Sequence, residues 1–357
     1  MNAISPQSLS FLHTLLDTPG PSGFESAPAK VWRAEASRFS DVTVDQTGNS
    51  IAVVNSGGSP TIMLAGHIDE IGVIVTYIDD NGFAYIAPIG GWDPQVLVGQ
   101  RIRFGGPGGD VLGVVGKLPM HVIRPEERDK AAKIRDLWVD IGANGRTEAM
   151  KLLDVGDSGV IDSCAIEMPN NRLVSRSIDN RIGAFSVLEA LRRYSGNPGT
   201  ARVVAVATAQ EEVGSGTGGA LVAASMLRPA MAIVVDVTFA VDHPEIDKKE
   251  YGEARIGGGP VLTRGAVVSP VVFELLRDAA ERESIPFTVQ AAGRAAGTDA
   301  DAIHVAGDGV ATGIVGVPNR YMHSPNEMIS LDDVNHVANL VASTCRAVTL
   351  ETDFTAR

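Results

Sequence analysis

Uninterrupted apolar runs alternate with helix-period segments at both ends of this chain, while its middle reads mainly as short β runs. Leu9 to Leu16 and Ala27 to Phe39 have helical spacing. They flank Thr18-Pro19-Gly20-Pro21-Ser22-Gly23, where prolines and glycines enforce a break. Ser50 to Val54 and Thr61 to Ala65 are short apolar runs between turn signals, and predict strands. The texture changes from about Gly72 to Cys164. Val73 to Ile78, the polar turn Asp79-Asp80-Asn81-Gly82 and Phe83 to Ile86 form a hairpin signature. Further short β-like runs, separated by turns such as Gly105 to Gly109, predict a closed or sandwich-like β module. A charged helix near Pro125 to Lys133 is expected to decorate it.

After Asp179 the pattern becomes helix (Ile182 to Tyr194), strand (Arg202 to Ala207), helix (Gly218 to Leu227) and strand (Ala232 to Asp236). Such alternation predicts an α/β fold with a mixed, largely parallel sheet flanked by helices. Ser269-Pro270 opens a helix running to about Glu283, with serine as cap and proline at its first position. Ser330-Leu331-Asp332-Asp333 fits a capping box for a last helix toward Leu350. The expected organisation is a discontinuous catalytic domain, residues 1–71 and 165–357, with an inserted β-rich, barrel-like domain at 72–164.

Composition narrows the function. At 357 residues, 44% hydrophobic and 20% charged, the chain has the make-up of a soluble globular protein. No stretch approaches the ~20 apolar residues that cross a bilayer, and Met1 to Pro6 carry no signal-peptide pattern. Cys164 and Cys345 have no metal-type spacing and make no disulfide framework, so a cytoplasmic enzyme is expected. A net charge of −13 repels nucleic acid and anionic membrane surfaces at long range.

Five separated segments each end an apolar run with a metal-capable side chain. They contain His67, Asp69, Asp179, the pair Glu211-Glu212, Asp236 and His323. Each alone has a structural alternative: a core histidine, a helix-capping acid, two solvated glutamates. Strand ends of one sheet can gather all of them into one site. On extended backbone His67 and Asp69 share a face, so the carboxylate can accept from the ring N–H that does not ligate a metal. Asp179 is placed to bridge two cations. Of the Glu211-Glu212 pair, one can ligate while the other acts as general base toward a water. The glycine-rich Gly214 to Gly219 lets backbone approach a ligand, and the phosphate-loop reading fails because no lysine follows its last glycine. Asp179, Glu212 and Asp236 carry −3 when ionised, so two dications and one hydroxide reach neutrality. Imidazole and carboxylate donors without thiolate suit Zn²⁺, Co²⁺ or Mn²⁺.

Taken in order, these segments resemble the tetrahedral (TET) and glutamyl aminopeptidases. The match runs through Pro19-Gly20-Pro21-Ser22-Gly23-Phe24-Glu25, Gly66 to Gly72, Asp179-Asn180-Arg181, Glu211-Glu212-Val213-Gly214, Gly297-Thr298-Asp299-Ala300 and Met322-His323-Ser324. The resemblance implies His67, Glu212, Asp236 and His323 as terminal ligands of two metal ions, Asp179 as their bridge, Glu211 as general base and Asp69 as the partner of His67. It places Gly297, Thr298 and Asp299 near the substrate. It further implies dimers formed through the insert, possible dodecamers, and removal of N-terminal residues from short peptides. Asn180 stands where the family often has an acid, and Gly258 where it often has a basic residue. The rival readings are deacylation of N-acyl compounds at the same metals, a metal-free glycosidase with two carboxylates, and a non-catalytic metal-binding assembly module.

Overall fold

Apolar runs with no polar alternation need cover on both faces, and four of them form the centre of an eight-stranded sheet. Its edge-to-edge order is Asp41–Val44, Ser50–Val54, Arg202–Thr208, Thr61–His67, Met231–Phe239, Ala311–Asn319, Val261–Gly265 and Thr288–Ala292. The central four are parallel; Ser50–Val54 and Val261–Gly265 join them antiparallel. The computed structural model describes residues 4–214 and 218–355. Met1 to Ala3 of the N-terminal segment, and Ser215 to Thr217 of the glycine-rich segment, lie outside the described residues.

Register decides where the chemistry converges. Thr208 pairs with His67, and the ladder between Thr61–His67 and Met231–Phe239 ends at Ala65 opposite Val234. Asp236 therefore comes level with His67, and Glu211 follows one turn beyond Thr208. Parallel strands present all their C-terminal ends at one edge, where open α/β sheets bind ligands.

Helix Ile178–Ser195 crosses Thr61–His67, Arg202–Thr208 and Met231–Phe239, and packs against the last helix, Leu331–Ala347. It lies unusually close to the sheet. A Cβ at Gly66 would stand 2.4 Å from the Gly183 carbonyl carbon, and one at Gly183 would stand 2.4 Å from the Val235 oxygen. Strand and helix thus meet backbone to backbone, next to His67 on one side and Asp179 on the other. Helices Gly219–Leu227 and Ala300–Ile303 form a second group that packs on the sheet and on each other.

The middle of the chain closes into a six-stranded barrel: Gly72–Ile78, Ala84–Ile89, Trp138–Asp140, Gly109–Gly116, Arg101–Gly106 and Ser158–Ile161. It has its own core, including Val73, Val75, Ile102, Phe104 and Val139. The helix expected over Pro125 to Lys133 is absent; that segment holds a single 3-10 turn, Pro125–Glu127. Without an apolar stripe to bury, so short a charged segment cannot sustain a helix. Ser269 precedes helix Pro270–Arg282 as expected, but its side chain makes no capping bond. Ser330 caps Leu331–Ala347 through the Asp332 N–H, whereas Asp333 turns to the N–H groups of Gly257 and Gly259. No helix among the described residues is long and apolar enough to cross a membrane.

Gly66→Ala should push strand and helix apart and cost about 1–3 kcal/mol, the range for overpacked cores. Gly57→Ala, where nothing lies within 4 Å of an added Cβ, should be close to neutral. Urea unfolding of the two variants beside the wild type checks the contrast.

Candidate metal centre and active site

The residues singled out in the sequence meet at the C-terminal edge of the sheet. His67 ends its strand, Asp236 lies within Met231–Phe239, and His323 follows Ala311–Asn319. Asp179 and Asn180 begin helix Ile178–Ser195 with non-helical backbone angles. Glu211 and Glu212 open one short helical turn, Glu211–Gly214, rather than an extended segment.

Asp179 occupies the centre. Its Oδ1 lies 3.2 Å from His67 Nε2 and its Oδ2 lies 3.3 Å from His323 Nε2. Asp236 Oδ1 and Glu211 Oε2 stand 3.9 and 3.8 Å from His67 Nε2, and Glu212 Oε1 stands 3.5 Å from His323 Nε2. One carboxylate thus faces two imidazoles, each with further carboxylates beside it.

The far nitrogen of each ring faces an acceptor oxygen. His323 Nδ1 meets the Gly91 carbonyl oxygen at 2.8 Å, so this nitrogen carries the proton. The Nε2 lone pair then points at carboxylate oxygens, an arrangement that needs a cation or proton between them. His67 Nδ1 lies 3.3 Å from Asp69 Oδ1, in contact but short of an aligned hydrogen bond. Asp69 in turn accepts from Ser22 Oγ and from the N–H groups of Glu211 and Glu212, at 3.3 and 3.1 Å. It therefore ties His67 to the glutamate pair.

The donor set fits divalent cations. Ligands about 2.0–2.2 Å from a tetrahedral Zn²⁺ stand roughly 3.3–3.6 Å apart, close to the spacings around each imidazole. Glu212 Oε1 is buried without a hydrogen-bond partner. Ligand atoms of His67, Asp179 and Glu212 all lie within 4.8 Å of one another. Burial, then Asp299, Glu212 and Asp179 against the opposing pull of His67, pushes the Glu211 carboxyl up to about 8. Burial likewise raises Asp236 well above the carboxylate range. For His323 burial acts downward, but Asp179 and Glu212 overcome it and push the ring up to about 11. Such a crowd of acids and imidazoles calls for positive charge, which cations supply in exchange for protons.

A family model described as M42 glutamyl aminopeptidase matches residues 48–340. The chain belongs to this family. It is 34% identical to the lysyl aminopeptidase of Pyrococcus furiosus over 331 residues, covering 91% of this chain and 93% of that one. A solved TET aminopeptidase from a marine sediment archaeon of the Thaumarchaeota superposes with a TM-score of 0.92 at 32% identity, covering 97% of each chain. The TET1 peptidase of Pyrococcus horikoshii, which can assemble into a tetrahedron or a large octahedral shell, superposes at 0.84 with 28% identity over 96% of this chain and 100% of that one. The protein is therefore an M42 aminopeptidase, a hydrolase of peptide bonds from a metal-dependent family.

The two positions where this M42 chain departs from the pattern resolve differently. Asn180 Nδ2 donates to the Val235 carbonyl and its Oδ1 accepts from Gly183 N–H, a pairing that an aspartate could not complete. Gly258 bonds back to Arg255 and does not line the cavity at the cluster. Gly297 and Thr298 do line it, whereas Asp299 is buried beneath and accepts from Thr208 Oγ1. Burial raises Asp299 to about 6.

Two contributors escaped sequence reasoning. Gly91, in the loop leaving barrel strand Ala84–Ile89, holds His323 through a carbonyl that carries no side-chain signal. Glu327 is buried and accepts from the backbone N–H of both Asp179 and His323, each at 2.9 Å. Its place four residues after His323 was the only available cue. Glu327→Ala should lower stability by about 1–3 kcal/mol per orphaned N–H and weaken retention of cations. Urea unfolding together with elemental analysis after dialysis measures both effects.

Proposed function

We propose that this chain removes N-terminal residues from short peptides, using two divalent cations and Glu211 as general base. The observation that carries the proposal is the Asp179 carboxylate, with one oxygen toward each histidine. His67, Asp236 and one Asp179 oxygen would hold the first cation. His323, Glu212 and the other oxygen would hold the second. Zn²⁺, Co²⁺ and Mn²⁺ all suit a set of imidazoles and carboxylates without thiolate.

Bound there, the cations supply Lewis acidity toward the scissile carbonyl and make water acidic enough to attack near neutral pH. Glu211 does the proton work. It lies beside the cluster but is the acid least enclosed by it, with its side chain 20% exposed. It would accept a proton from the attacking water and return it to the leaving amine. Asp69 holds the backbone of Glu211 and Glu212, so it would position the base rather than react.

Glu211→Gln should cut kcat by about a thousandfold or more while leaving metal content near wild type. Normal turnover in that variant would sink the assignment of the base. Peptides offered with free and N-acetylated termini separate the alternatives. Cleavage of free peptides only, lost on chelation and restored by Zn²⁺, Co²⁺ or Mn²⁺, supports the aminopeptidase. Cleavage of the blocked peptides points to the deacylase, and indifference to chelators to a glycosidase-type carboxylate pair.

We extend the proposal to assembly. The barrel would pair two copies, and such dimers would build a dodecamer, as in the solved dodecameric PhTET1 structure, or a tetrahedron such as the Pyrococcus horikoshii TET1 peptidase can form. Light scattering of the purified protein should give the mass of a dimer or a dodecamer; a monomer at micromolar concentration contradicts it.

A further inference from the structure

An aminopeptidase selects its substrate through the side chain of the N-terminal residue, which must occupy whatever cavity adjoins the reacting centre. A cavity of about 300 Å³ opens on the cluster. Beyond the cluster's own side chains it is lined by Val237, Thr238, Phe239, Gln290, Met322 and the turn Ala296-Gly297-Thr298. None of these carries a charge. Every ionisable group lining the cavity belongs to the cluster itself, and no lysine or arginine is among the lining residues.

The charged residues nearby in sequence do not line the cavity. Arg294, two residues before the turn, is exposed and does not line the cavity. Asp301 accepts from the N–H groups of Ala296 and Gly297, holding the turn from the chain that follows it. Asp299 is buried and bonded to Thr208. Gln290 stands on the edge strand Thr288–Ala292, and its Oε1 accepts from Thr238 Oγ1 at 2.7 Å. That bond fixes the neutral amide at the cavity wall.

On the footing of the aminopeptidase proposed above, we infer that this cavity selects uncharged N-terminal residues of medium size, such as leucine and methionine, with Gln290 setting the preference. A glutamyl or aspartyl side chain would bring a carboxylate into a recess whose lining offers no cationic side chain to pair with it. A lysyl or arginyl side chain would find no carboxylate on the walls beyond those of the cluster itself. Either charge left unpaired is strongly disfavoured. The volume is at the small end for ligand cavities, which favours side chains of medium size. This preference distinguishes the chain from the lysyl aminopeptidase to which it is similar.

The test is kcat/KM of the metal-loaded enzyme on dipeptides differing only in their first residue: Leu, Met, Gln, Glu, Asp, Lys, Arg and Trp. Leu and Met should exceed Glu, Asp, Lys and Arg by about tenfold or more. Gln290→Arg should raise Glu relative to Leu by about tenfold, Gln290→Glu should do so for Lys, and Arg294→Ala should leave the ranking unchanged. A wild-type enzyme fastest on Glu or Lys overturns the inference and leaves the aminopeptidase standing. A ranking unmoved in both Gln290 variants, each still cleaving the Leu peptide, overturns the role of Gln290. Release of no residue from any free peptide, with metal restored, contradicts the aminopeptidase itself and removes the inference with it.

Discussion

A guanidinium with no access to water holds the working end of this molecule together. Arg181 is fully buried. It donates to the carbonyl oxygens of Leu15, Leu16, Thr18 and Gly20, to that of Ile68 just past His67, and to Glu70 Oε1 at 2.8 Å. Burial draws its pKa down to about 10 despite Glu70, so it stays cationic at neutral pH. Taking such a charge out of water costs several kcal/mol unless every donor is met, and breaking a buried pair costs about 3–5 kcal/mol. The acceptors come from the end of the first helix, the loop after it and the segment beyond the His67 strand. Those bonds also fix the first turn of the helix in which Arg181 sits, two residues after Asp179. The position of the central carboxylate therefore follows from how Arg181 is satisfied.

The rest of the site hangs on this frame by backbone contacts. Register sets His67 level with Asp236, and the glycine contact between Gly66 and Gly183 brings the Asp179 helix against that strand. Asp69 holds the backbone of the glutamate pair, and Glu327 holds the N–H groups of Asp179 and His323. The barrel takes part as well: its Gly91 carbonyl fixes the His323 ring, and Trp92 Nε1 donates to Gly72 where the barrel begins. The cluster of imidazoles and carboxylates thus lies at the junction of two folded units rather than within one.

Much of this was legible in the sequence, for identifiable reasons. Parallel strands buried on both faces leave continuous apolar runs, and an acid or histidine ending such a run is conspicuous, as at His67 and Asp236. The Asp-Asp-Asn-Gly turn announced the first barrel hairpin. What could not be read acts through the main chain or through distant packing. The Gly91 carbonyl and the Glu327 carboxylate contact groups far away in sequence or on backbone N–H, and neither leaves a periodic trace. The charged segment after Pro125 misled because polar composition alone does not make a helix without a face to bury. The direction of the Asp299 carboxylate was equally illegible: its neighbours Gly297 and Thr298 line the cavity, while Asp299 accepts from Thr208 beneath it.

One carboxylate, Asp179, is proposed to bridge two cations between His67 and His323. Crystals of the metal-loaded protein, with diffraction data collected on both sides of the metal absorption edge, test this bridge. It requires two anomalous peaks, one beside His67 and Asp236 and one beside His323 and Glu212, each contacting a different oxygen of Asp179. A single peak, or two that leave Asp179 uncoordinated, would contradict it.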